Sequence, residues 1–492
     1  MSPTESGIHT RPPIPTTCHE LVRPRAGVPR FGTPAAVIVA AFALVLPVLV
    51  ASAEPAPATS EQPAGEPVLP ALPAPGGTAT LEDVLGDSAD PLGQIERQIE
   101  SEEFEPAIDT LERRIDVIEQ DSHRFDHRLV RPLTLLGDAH AGLGAYETAL
   151  GHYQRALHLS RVNDGLNSPE QVEIVYREAD AFKALGDFQE ANNREEYAYH
   201  VLNRAHDPMD EDLLPGIYHL AQWYERTSNV FAARALYEQA VQIIDAHEKL
   251  ETVEAIPALQ GIASSYRMER FPPYYLADLE QSEASVVTAS TMRQPISVNN
   301  FPAGEAALQR VIRIRQSEQN KDPVAIAKAV LDLADWYTLF DKPRRAGPLY
   351  AHAWELMSEV ESFDVVGYFA QPELLYYPAP GNPSPPPVEE RGERSTGYVE
   401  VAFDVTEDGY VRGLNTVGSQ PDGLMDFRVR KSLRLARYRP MLVEGVPIAK
   451  RAHTYRHEFP YYPERDDAPQ DRVADPNERE GGPPTAAASA GG

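Results

Sequence analysis

The sequence predicts a multi-domain chain. An all-α solenoid of about six 42-residue helix-pair repeats precedes a small α+β domain of ββαβ order, with a disordered N-terminal linker and a disordered C-terminal tail. Three observations lead there. Small and aromatic residues recur at a spacing of 42 through the middle of the chain, a run near the C-terminus alternates apolar and polar residues, and the 45 prolines among 492 residues gather in stretches that separate these regions.

Residues 1–33 are polar and carry Arg11, Arg23, Arg25 and Arg30; the apolar run Ala35–Val50 follows, and then Ala51, Ser52 and Ala53. A basic lead, a short apolar core and a small-residue site read as a secretory signal cut after Ala53. The rival is an uncleaved anchor, because Pro34–Ala53 supplies 20 uncharged residues, about the minimum that spans a bilayer. Both readings export the rest of the chain. The single cysteine, Cys18, precedes the apolar run and would leave with a cleaved signal, so no disulfide or thiol chemistry is expected. Residues 54–80, rich in Pro, Ala and Gly, are expected to be a disordered spacer. The formal charge of -29 argues against a nucleic-acid binder, whose footprint is a basic surface.

The solenoid is expected over residues 81–361. Leu136, Gly137, Gly144, Tyr146, Ala149, Tyr153 and Ala156 set its register, and steps of 42 find Ala179, Gly186, Phe188, Ala191 and Ala198, then Ala221, Ala233, Tyr237 and Ala240. One position reads Ala107, Ala149, Ala191, Ala233, Gly304 and Ala346, small residues that let the second helix of a pair approach the first closely. Between Phe271 and Gly304 the register slips by 29 residues, and Pro272 and Pro273 break the helix there, so a loop insertion is expected at residues 272–303. From about Pro91 to Met357 this pattern resembles the tetratricopeptide (TPR) repeat. The usual unit has about 34 residues, and the extra length implies about one added turn per helix at 3.6 residues per turn.

The resemblance implies a concave face, lined by first helices, that holds a peptide or protein segment. By the repeat register Arg131, Asp138, Tyr176 and Asp180 face inward, as do Lys183, Tyr218, Gln222 and Arg226, and then Gln260, Ser264, Arg267 and Asp335. They mix charges of both signs with aromatics, which suits a protein partner without naming one. His123 and His127 are four apart, the spacing of a metal pair on a helix, but no third ligand is placed and they sit at a repeat junction. No metal and no cofactor is expected. The chain has no nucleophile elbow, phosphate-binding glycine loop or zinc-protease motif, so no catalytic residue is assigned and a non-enzymatic role is expected.

Residues 362–396, including the run Pro378–Pro387, read as a proline-rich linker. At Gly397–Val405 the chain alternates, with Val399, Val401, Phe403 and Val405 on one face, which is a half-buried strand. Glu407-Asp408-Gly409 is a hairpin turn, Tyr410–Val417 returns as a strand, and Pro421-Asp422 opens a helix with Met425, Val429, Leu433 and Ala436 on one stripe. Gly445–Phe459 supplies the last strand, and residues 464–492 form a polar tail expected to be disordered.

The residues G-Y-V-x-V-x-F-D-V-T-x-D-G-Y-V at Gly397–Val411, R-Y-R-P at Arg437–Pro440 and G-x-P-I at Gly445–Ile448 make residues 397–463 resemble the TonB C-terminal domain. That family transmits inner-membrane energy to outer-membrane receptors by pairing its last strand with a receptor segment. The resemblance places the pairing edge at His453, Thr454, Tyr455, Arg456, His457 and Glu458. Strand addition to an exposed edge is sound physics because main-chain groups there lack partners. The chain departs from the energised members in that Pro34–Ala53 holds only Ser52 as a polar residue and a helical array replaces the periplasm-crossing spacer. Residues 391–463 carry 12 Lys/Arg against 9 Asp/Glu in an otherwise acidic chain. Such asymmetry attracts an acidic partner or docks the domain on its own solenoid. The expected function is a periplasmic adaptor that binds protein partners through the groove and the TonB-like domain. The alternatives are an inner-membrane-anchored TonB-type transducer for outer-membrane receptor transport, and an envelope enzyme of unrecognised site. A membrane contact is expected only if residues 35–50 are retained.

Overall fold

The computed structural model describes residues 91–272, 300–378, 380–387 and 391–463. The expected signal or anchor, the 54–80 linker, most of the 272–303 insertion and the 464–492 tail lie outside the described residues. Helices α1 (Pro91–Glu100) and α2 (Phe104–Asp121), α3 (Val130–Gly142) and α4 (Tyr146–Asp164), α5 (Val172–Ala184) and α6 (Phe188–Ala205) form three successive pairs. Three more follow: α7 (Leu214–Arg226) with α8 (Val230–Ala246), α9 (Ile256–Arg270) with α10 (Asn300–Ser317), and α11 (Pro323–Leu339) with α12 (Pro343–Ser358). The insertion therefore separates the two helices of the fifth pair.

The turn inside a pair needs one residue in the left-handed region, and the requirement recurs with the repeat. Glu102, Gly144, Gly186 and Ser228 all have positive φ, between 62° and 81°, and Asp341 occupies the matching turn at φ 56°. Gly144 and Gly186 adopt this freely, whereas the others tolerate it at a cost. The added length per repeat is not shared between the helices. First helices α3, α5 and α7 have 13 residues while second helices α4, α6 and α8 have 17 to 19. Part of the remainder makes a 3₁₀ turn before the first helix, as at His127–Leu129, Pro169–Gln171, Glu211–Leu213 and Val253–Ala255.

Ala107, Ala149, Ala191 and Ala233 are completely buried and Ala346 nearly so. At Gly304 a Cβ would sit 2.2 Å from the Trp336 ring of α11, so the close neighbour there belongs to the following pair. The stacked pairs bury two apolar clusters, one around Leu133 and Tyr153 and one around Ile217, Tyr237, Val330 and Tyr350, and the partly buried Phe182 and Leu202 pack against both.

Beyond α12 the chain forms α13 (Val365–Tyr368), β1 (Glu373–Tyr376), β2 (Ser395–Val405), β3 (Val411–Gln420) and α14 (Asp426–Leu435). Strands β4 (Arg437–Arg439), β5 (Met441–Val443), β6 (Val446–Ile448) and β7 (Lys450–Tyr461) complete it. The main sheet is antiparallel in the order β3-β2-β7, and β1 pairs with β4 and β5 with β6. Val399, Val401, Phe403 and Val405 are buried beneath α14, whose Val429 and Leu433, with Met425 just before it and Ala436 just beyond it, are completely buried. The helix starts later than expected, at Asp426, because Pro421 lacks an amide and Gly423 takes a positive φ of 76°. The region read as a linker contains α13 and β1, and Tyr377 beside β1 is buried against the sheet. The expected last strand is divided between β6 and β7, which pair with different partners.

Candidate protein-binding surfaces

The first helices place the expected groove residues on α3, α5, α7, α9 and α11. Some are already engaged. Arg131 pairs with Glu96 at 2.5 Å, Lys183 pairs with Asp180, and Asp138 accepts hydrogen bonds from the Tyr153 hydroxyl and Arg177 Nε, both at 2.8 Å. Gln222, Arg226, Gln260 and Arg267 are exposed. Tyr176 stacks on His219 with ring centres 3.8 Å apart, and His219 Nε2 lies 2.9 Å from the buried Glu195 carboxylate. His219 and Glu195 were missing from the sequence reading because Glu195 reaches in from the second helix α6. Tyr218 is half-buried, and burial pushes its hydroxyl up to about 12.

Toward the C-terminal end, Gln260, Ser264, Arg267, Asp332, Asp335 and Trp336 line a cavity of about 190 Å³. The Asp332 side chain is reached by solvent, yet crowding by the cavity walls, and then the charge of Asp335, push its carboxyl up to about 6. Gln260 Nε2 approaches Asp332 at 3.5 Å.

Asp335 has a different partner from the one expected. Strand alternation in β4 sends Tyr438 into the core of the C-terminal domain and turns Arg437 and Arg439 toward α11. Arg439 donates to both Asp335 oxygens, Nε to Oδ1 at 3.0 Å and Nη2 to Oδ2 at 2.5 Å, and the two side chains are only 11% and 10% exposed. The Tyr350 hydroxyl adds a third hydrogen bond to Asp335 at 2.9 Å. Burial would lower the Arg439 pKa, but the Asp335 carboxylate outweighs it and holds the guanidinium raised. Two residues earlier on β4, Arg437 pairs with Asp341 at 2.9 Å while stacking on Tyr410, whose hydroxyl donates to the same carboxylate at 3.2 Å. Asp341 is the residue held at positive φ in the last helix-pair turn. Gly409 fits beneath this contact because a Cβ there would lie 2.1 Å from the Tyr438 carbonyl oxygen. Leu442 of β5 and Phe369 are buried in the same apolar cluster as α11 and α12, so the C-terminal domain covers the end of the solenoid as a cap. The basic excess of the domain is thus partly spent on its own solenoid.

The six edge residues expected from the family resemblance lie together on β7, the outer strand of the sheet, and no strand pairs with its other edge among the described residues. His453 packs on Phe403 and Tyr438 at 5.3 and 5.5 Å, and burial, then Lys450, lowers its pKa. Tyr455 and His457 pack on Tyr377 at 5.1 and 5.7 Å. Thr454, Arg456 and Glu458 are exposed on the other face, where Arg456 covers Tyr398 at 3.8 Å and pairs with Glu458 at 3.2 Å. Inner side chains hold the strand in place, and a strand at the edge of a sheet is the element on which strand addition takes place.

His123 and His127 do not form a pair. The chain between them is not helical, His123 Nδ1 accepts from the Phe125 amide at 3.2 Å, and His127 meets Asp164 at 3.3 Å. A different trio, His206, Asp210 and Asp212, brings its ligand atoms within 4.8 Å of one another. Among the described residues no helix is long and apolar enough to cross a membrane.

Residues 386–459 match the family described as the Gram-negative bacterial TonB protein C-terminal. No curated protein matches. Among solved structures, BtubC (BKLC) from P. vanneervenii is 16% identical, covering 56% of this chain and 94% of its own at a TM-score of 0.37. TPR-like repeats of a Podosopora anserina kinesin light chain are 17% identical over 41% of this chain and 95% of theirs, with a TM-score of 0.33. An assembly chaperone of RpL4 is 15% identical over 56% of this chain and 92% of its own, with a TM-score of 0.31. At such TM-scores these likenesses decide nothing. The protein is a helical-repeat solenoid of TPR character followed by a small α+β domain similar to the TonB C-terminal domain.

Proposed function

We propose that this protein is a non-enzymatic periplasmic adaptor that holds one protein in its solenoid groove and presents the β7 edge to another. The observation that carries the reading is the junction: Arg439 and Arg437 fix the TonB-like domain to Asp335 and Asp341, while β7 is the outermost strand of its sheet among the described residues. A rigid joint of this kind suits a scaffold that sets the spacing of two partners. A receptor-pulling domain gains from a flexible tether instead. The test is uptake by cells whose chain lacks residues 397–463. Unchanged uptake of iron complexes and vitamins is expected, and loss of uptake would replace the adaptor with a transducer. The transducer is favoured by the uncharged run Pro34–Ala53, and it requires co-purification with a proton-driven motor complex from crosslinked membranes.

A further inference from the structure

The junction uses none of Arg430, Lys431 and Arg434 on α14, and the fourth cation of that helix, Arg428, donates to the Asn382 carbonyl at 2.9 Å. The inner face of α14, Val429 and Leu433 with the preceding Met425, is packed on the sheet, so its outer face is set by the sequence between them. At 100° per residue Phe427, Arg430, Lys431 and Arg434 fall on one solvent-facing stripe two turns long. Phe427 is 72% exposed, an unusual state for that side chain, and Leu424 and Leu435 beside the stripe are 44% and 55% exposed. No acidic residue shares the stripe, although the chain has 74 acidic side chains against 45 basic ones. Arg430, Lys431 and Arg434 have no ion-pair partner among the described residues, whereas Arg437 and Arg439 on the following strand β4 are both paired.

From this we infer that the outer face of α14 docks on the surface of an anionic lipid bilayer, with Phe427 entering the headgroup region between phosphates held by Arg430, Lys431 and Arg434. Charge complementarity selects an anionic partner, and two features select a bilayer over an acidic protein. The stripe lies on the convex outside of a helix, which a planar surface meets without a matching groove. An aromatic ring projecting among cations gains from a medium that is apolar just beneath its charged surface. Each cation near such a surface contributes about 1 kcal/mol, which falls off within a Debye length. The net charge of the whole chain is -29, so a basic face is the part of it that an anionic surface attracts, and docking there fixes the orientation of the β7 edge relative to the membrane.

The test places a reporter at the contact in the full chain, as Phe427→Trp, and reads its emission against the wild-type chain as blank. Vesicles containing phosphatidylglycerol are expected to shift the emission to the blue, 0.5 M salt to reverse the shift, and neutral phosphatidylcholine vesicles to leave it unchanged. Insertion of residues 35–50 into either vesicle does not by itself move a probe at position 427. Adding Lys431→Gln and Arg434→Gln is expected to weaken the response about 30-fold, as two lost cations at about 1 kcal/mol each require. Leu424→Trp serves as a second reporter if the first variant unfolds on heating below the wild type. No shift on anionic vesicles from either reporter overturns the proposal, as does an equal shift on neutral ones. A shift given equally by soluble polyglutamate overturns it too, and assigns the face to an acidic protein.

Discussion

Arg439→Met removes the guanidinium that answers Asp335 and leaves a carboxylate that is about 10% exposed with the Tyr350 hydroxyl as its main remaining donor. Breaking a buried pair from one side costs about 3–5 kcal/mol, because the desolvated charge stays behind, whereas replacing both partners with apolar groups is close to neutral. Arg439→Met and Asp335→Leu are therefore each expected to cost about 3 kcal/mol and the double variant to be close to neutral, so that the coupling energy approaches the sum of the single costs, about 6 kcal/mol. At about 2–4 °C per kcal/mol for a domain of this size, each single variant should lower the transition of the capped end by about 6–12 °C. The assay is a double-mutant cycle in urea, followed by tryptophan emission, since Trp336 and Trp354 lie on α11 and α12 beside the junction. Single costs below about 0.5 kcal/mol, the range of ordinary surface substitutions, would refute the docked arrangement. So would additive costs.

Gly409→Ala should cost more than about 1 kcal/mol for its positive φ, with a further cost from the Tyr438 carbonyl oxygen 2.1 Å from the new Cβ, and should loosen the same junction; thermal unfolding measures it. Asp332 gives a pH signature. Its carboxyl is raised from 3.8 to about 6 in the fold, so the folded state binds the extra proton and stability falls as pH rises from about 4 to about 6. Asp332→Asn should remove that slope and be the more stable protein at pH 7, and an unchanged slope in melting curves from pH 4 to 8 would contradict this. His219→Phe should keep the stack on Tyr176 but leave the Glu195 carboxylate buried without the imidazole, lowering stability by about 1–3 kcal/mol in urea denaturation.

The repeat was legible because its cause is local and recurrent. A completely buried Ala149 or Ala191 leaves no room for a larger side chain, so the position repeats wherever two helices cross. The β2 strand was equally open to reading, since Val399, Val401 and Phe403 must all point to one side. The turn residues were only half legible: Gly144 and Gly186 announce a left-handed position, but Glu102, Ser228 and Asp341 hold the same conformation without a distinctive residue type. The junction escaped because Arg439 and Asp335 are 104 residues apart and neither sits in a pattern that distinguishes a docking contact from a solvated groove. β1 escaped for a related reason. Its four residues stand among prolines and become a strand only because β4 lies across from them.

The most direct measurement is site-specific photo-crosslinking in intact cells, with the probe at Gln222 in the groove and at Arg456 on β7, both exposed. An adaptor is expected to give adducts with two different proteins, and the Arg456 adduct should persist when the proton gradient is collapsed. An Arg456 adduct with an outer-membrane receptor that disappears with the gradient, or no adduct at Gln222, would contradict the adaptor.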